Sequence, residues 1–62
     1  MTAKQYRSAI ERLGLSQVKA AAFLGVSPRQ SRRWALGEAK IPKGYATLLR
    51  VMVDRGIKPD EI

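Results

Sequence analysis

Apolar residues recur along this chain in four short stripes, the first three opened by a residue that caps helices and all four closed by a glycine. Thr2 followed by Gln5 has the spacing of a capping box, and Tyr6, Ala9, Ile10 and Leu13 then mark one helical face that ends at Gly14. This predicts a first helix over about 3–13. Ser16 can cap a second helix, about 17–24, with Ala20, Ala21 and Leu24 inward, and Gly25 supplies the left-handed backbone of a sharp turn. Ser27-Pro28 puts a good N-cap before a residue favoured at the first helical position, with Gln30 at N3, so a third helix runs about 28–36 and stops at Gly37.

Ile41-Pro42 opens a fourth helix, about 43–55, in which Tyr45, Leu48, Leu49 and Met52 recur at i, i+3, i+4 and i+7. Gly56 ends it, Ile57 is placed to fold back as in a Schellman closure, and Pro59 blocks continuation. Asp60-Glu61-Ile62 is a tail or at most a short fifth turn. No stretch alternates β-branched and polar residues with period two. The pattern predicts an all-α, compact four-helix domain occupying residues 1–62, with no repeat, linker or low-complexity tract.

Length and composition narrow the chemistry. A chain of 62 residues hides only about 60% of the surface its unfolded form exposes, so its core must be simple. There is no Cys and no His, hence no zinc or haem ligand set, no disulfide, no thiol nucleophile and no imidazole base. Glu11 and Asp54 fall on different helices with no phosphate-cradling loop beside them, which gives no catalytic pair. A binding module without metal or cofactor is expected, and no enzyme.

The longest apolar run, Ala20 to Val26, is seven residues with Gly25 counted, far below the roughly 20 a membrane span needs. The first residues form no signal-peptide block, so a cytoplasmic protein is expected.

Charge changes the picture most. The chain carries 12 Lys and Arg against 5 Asp and Glu, a formal +7, which makes a polyanion the expected partner. No acid occurs between Glu11 and Glu38, while Arg12, Lys19, Arg29, Arg32 and Arg33 lie inside that interval. Laid out at 100° per residue, the third helix puts Ser31 and Trp34 on one side and Arg29, Arg32 and Arg33 within about a 100° arc on the other. The two central helices are joined only by Gly25, Val26 and the Ser27 cap, which is helix-turn-helix spacing.

At these residues a resemblance can be stated. Leu15-Ser16-Gln17, Ala21, Leu24-Gly25-Val26-Ser27, Arg32-Arg33-Trp34 and Gly37 resemble the phage-repressor/Cro type of helix-turn-helix DNA-binding domain, a lambda-repressor-like fold, over about residues 3–56. The resemblance implies base readout by Arg29 and Arg33, with Gln30 and Arg32 at the margins. It places Gln17 against phosphate, and Lys40 and Lys43 in a loop that holds phosphates. Lys19 joins them as a phosphate candidate on charge alone.

The chain departs from the family at two positions. Pro28 offers no donor where a polar side chain is usual, so readout there rests on Arg29. Ser31 replaces a usual Val or Ile, which predicts a looser seat for the third helix, or Phe23 and Trp34 filling the space. Trp34 itself is expected in the core, with Tyr6, Tyr45 and Phe23 in the core or at its boundary.

The expected function is sequence-specific binding of double-stranded DNA, as a repressor or other transcriptional regulator. Arg can fork onto O6 and N7 of guanine in the major groove, so a guanine-containing half-site is expected. One such helix covers few base pairs, which implies a homodimer on an inverted repeat; Val51, Val53, Ile57 and Ile62 are candidates for its surface, with ordinary packing as the alternative. Other readings are a DNA-binding adaptor that recruits a protein, as in recombination, packaging or antitoxin complexes, an RNA-binding protein, and an amphipathic helix on anionic lipid. No small-molecule ligand is evident.

Overall fold

The cap and glycine signals act where the pattern places them. The structure, a computed structural model describing residues 1–61, has helices α1 (Ala3–Arg12), α2 (Gln17–Leu24), α3 (Pro28–Leu36) and α4 (Lys43–Arg55), then a 3-10 turn at Pro59–Glu61. No strand occurs among the described residues. The fold is all-α. Thr2 and Gln5 form a complete capping box on α1, while Ser16 and Ser27 accept from the amides of Lys19 and Gln30 at 3.1 Å. Only α4 starts without a side-chain cap, at Pro42.

All four helices end alike. Gly14, Gly25, Gly37 and Gly56 have φ between 65° and 78°, and the following amide reaches back to the last turn: Leu15 to Ile10 at 2.8 Å, Val26 to Ala21 at 3.0 Å, Glu38 to Arg33 and Ile57 to Met52 at 2.9 Å. These are Schellman closures, which satisfy carbonyls that a helix end otherwise leaves unpaired. The short fifth turn that the sequence allowed is present as one 3-10 turn over Pro59–Glu61, where the Glu61 side chain folds back to accept from the Lys58 amide at 2.7 Å.

The core gathers where the stripes meet. Tyr6 and Ile10 of α1 and Leu13 at its C-cap pack with Ala20 and Leu24 of α2, Trp34 and Ala35 of α3, and Leu49 and Met52 of α4. Trp34 stands edge-on to Tyr6, with ring centroids 5.8 Å apart, and tilts against Tyr45 at 5.3 Å. Phe23, Tyr45, Val53 and Ile57 are half-buried against this cluster.

The fourth stripe needs one correction. Leu48 is 40% exposed, and Ala46 takes its place beside Leu49 and Met52. At 100° per residue Leu48 lies about 100° from Leu49, the middle of the buried face, so i, i+3 spacing from Tyr45 put it at the edge. Helices α2 and α3 pack on each other, and α1 packs on both α3 and α4. The whole measures 28 × 19 × 18 Å.

Candidate nucleic-acid interface

The outward surface of α3 follows from what holds its inward side. Ser31, Trp34 and Ala35 are the buried residues of this helix, and α1 packs on that side. The Tyr6 hydroxyl and Ser31 Oγ share a buried hydrogen bond of 2.6 Å. One turn on, Arg7 donates from a terminal guanidinium nitrogen to the Ala35 carbonyl. At the end of α3, a Cβ on Gly37 would lie 3.6 Å from the Ala3 Cβ, so the two helix ends are close.

Ser31 therefore does not loosen α3. Its side chain is fully buried and hydrogen-bonded to Tyr6, and this bond stands where a larger aliphatic side chain would have packed. The signal in the sequence was the pairing of a Tyr on the α1 stripe with a Ser on the inner face of α3, but only the fold brings positions 25 residues apart together. Burial pushes the Tyr6 phenol above its ordinary 10.0, the bond to Ser31 opposing the shift. Trp34 is 2% exposed, and its Nε1 has no hydrogen-bond partner within the protein.

With that side fixed, Arg29, Arg32 and Arg33 face outward. All three are exposed, and none makes a side-chain hydrogen bond or an ion pair within 4.0 Å among the described residues. Together with Leu36 and Glu38 they line an open, polar concavity of about 570 Å³. Leu36, 55% exposed, falls in the middle of the arginine arc, although as the last residue of the helix it carries no sequence signal of a contact. The same 100° count that groups the arginines also places Leu36 among them.

The other predicted positions are distributed as follows. Gln30 is half-buried, and its amide serves the Ser27 cap; its side chain does not return the bond, so this cap is not a full box. Gln17 is half-buried at the start of α2, while Lys19 on α2, Lys40 before α4 and Lys43 at its first residue are exposed. Arg12 leaves the cluster that the acid-free interval suggested. It lines a groove between α1 and α4, on the side of α1 turned away from α3. Proximity in sequence groups it with the arginines of α3, but α1 directs it to another side of the molecule.

Among the proposed dimer residues, Val53 and Ile57 pack against the core, Val51 is 39% exposed, and Ile62 lies outside the described residues. Packing on the core accounts for the first two. No group of three or more His, Cys, Asp or Glu comes together among the described residues, and no helix there is long and apolar enough to cross a membrane. Comparison with protein-family models, curated proteins and solved structures gives no match for this chain.

Proposed function

We propose that this chain binds double-stranded DNA sequence-specifically, with α3 in the major groove, and acts in the cytoplasm on the nucleoid as a transcriptional repressor or regulator. One observation carries the reading: three guanidiniums project from one arc of α3 with no partner of their own, while the opposite side of the helix is bound to the core. An unpaired arginine arc on a short, firmly held helix suits a partner that presents acceptors in a groove as wide as a helix. It also fits the resemblance to the phage-repressor/Cro type of domain.

In this reading Arg29 and Arg33 fork onto guanine edges, Arg32 and Gln30 act at the margins, and Leu36 offers an apolar contact to a thymine methyl. Lys19, Lys40, Lys43 and Gln17 hold phosphates and set register without reading sequence. The nine residues of α3 extend about 13.5 Å, enough for only a few base pairs. The longest dimension of the molecule, 28 Å, is shorter than the roughly 34–36 Å between half-sites on one face of DNA, so two copies are needed to read both. In this reading the two copies act as a homodimer on an inverted repeat.

Selection of duplexes from a random pool at physiological salt tests this directly. Recovered sites should hold guanine-containing half-sites in inverted repeat. Arg29→Ala should then relax preference at one position by about 1–3 kcal/mol. Equal loss on every duplex, with preference unchanged, would show that Arg29 holds backbone and does not read bases.

A further inference from the structure

The side of α1 facing away from α3 holds a second site of different character. Between α1 and α4 runs a groove of about 340 Å³, its floor made by Met1, Ala9 and Val53. Ala9 is 7% exposed and the other two are half-buried. Around this floor stand Lys4, Arg12 and Arg50, all exposed, with Asp54 the one carboxylate among the lining residues. None of these groups forms an ion pair within 4.0 Å among the described residues.

We propose that this groove docks an acidic segment of a protein partner, an apolar side chain entering the floor while flanking carboxylates meet Lys4, Arg12 and Arg50. Three arguments support it. The floor is apolar, which calls for an apolar anchor, and the rim carries three cations against one anion, which calls for acidic neighbours on that anchor. The walls are exposed, so the groove cannot enclose a small molecule over 70–90% of its surface as pockets for such ligands do, whereas a peptide needs to bury only its anchor. Finally, α1 directs Ala3, Tyr6 and Ile10 toward the core and α3, and Gln5, Ser8 and Arg12 about half a turn away. A segment held here therefore leaves the arginine arc of α3 uncovered. The site does not depend on what α3 binds, and its test needs no DNA.

The probe is a fluorescein-labelled helical peptide of Glu, Ala and two Leu placed at i and i+4, compared with a control of identical charge carrying Ser for both Leu. Anisotropy should show the Leu peptide binding at least about tenfold more tightly than the control. Its amide chemical-shift changes should fall on residues 4–12 and 50–54 and leave α3 unmoved. Ser8→Phe, which plugs the groove without changing charge, should abolish binding; Arg12→Glu with Arg50→Glu should weaken it about tenfold. Both variants alter exposed positions, and unchanged far-ultraviolet circular dichroism checks that they fold. Equal binding of the two peptides, with shifts on α3, would mean general attraction to a cationic protein and overturn the proposal. Dodecanoate shifting the groove amides where the Leu peptide does not would replace the peptide by a small amphiphile, and overturn it equally.

Discussion

The bond between Tyr6 and Ser31 shows how one buried polar pair can position a surface. Each hydroxyl leaves water, and each recovers a partner only if α1 and α3 keep their separation, here 2.6 Å between oxygens. Removing one member strands the other, so Tyr6→Phe and Ser31→Ala should each destabilise by about 1–2 kcal/mol. The double variant should lose less than the sum, because neither hydroxyl is then left unpaired. Urea midpoints of the four proteins give the coupling; strict additivity would mean the bond does not form in solution. The phenol adds a pH dependence. In the fold Tyr6 keeps its proton above 10.0, because burial penalises the phenolate more than Ser31 relieves it, whereas the unfolded chain ionises near that value. This contribution is whole below pH 10 and is lost as pH rises through the folded value. Urea midpoints in alkaline buffer should therefore fall more steeply for the natural chain than for Tyr6→Phe.

At the scale of elements, two glycines of opposite meaning test the account of helix ends. Gly25 sits at the corner between α2 and α3 with φ +74°, and a Cβ there would meet nothing within 4 Å. Gly25→Ala should therefore cost only the backbone strain of the left-handed region, about 1–2 kcal/mol, without a clash. Gly44 lies within α4 and has ordinary helical φ, and its Cβ position is equally open. Gly44→Ala should stabilise by about 0.5–1 kcal/mol, since alanine is the better helix residue and nothing obstructs it. Thermal melts of the two variants should move in opposite directions. The difference lies in the backbone, and composition treats the two glycines alike.

For the whole molecule the governing quantity is charge: a formal +7 on a body 28 Å long, with no ion pair within 4.0 Å among the described residues to localise it. At about 0.01 M salt the screening length is roughly 30 Å, longer than the molecule, and at 0.15 M it is about 8 Å. Self-repulsion is thus felt across the entire fold at low salt and mostly removed at physiological salt. Raising salt over this range should increase the urea midpoint and weaken DNA binding at the same time. The three lysines assigned to phosphates should alone give log K a slope of about −2.7 per protein copy against log salt. Stability that fell with added salt would indicate attractive charge pairs not present in this structure.

Helix positions and ends were legible in sequence because they are local: a cap bonds three residues ahead, and a glycine closes the turn behind it. The arginine arc was legible for the same reason, since 100° per residue fixes which side chains share a side of one helix, although Leu36 in that arc was overlooked. What periodicity could not supply was the partner of each face. That Ser31 would meet Tyr6, that Leu48 would lie outside the core, and that Arg12 would join Arg50 on a separate groove depend on how helices far apart in the chain pack together. Sequence by itself determined the elements and their outward charge, through interactions spanning a turn or less. Tertiary packing alone decided which cations of different helices share a surface, because that depends on the orientation of whole helices.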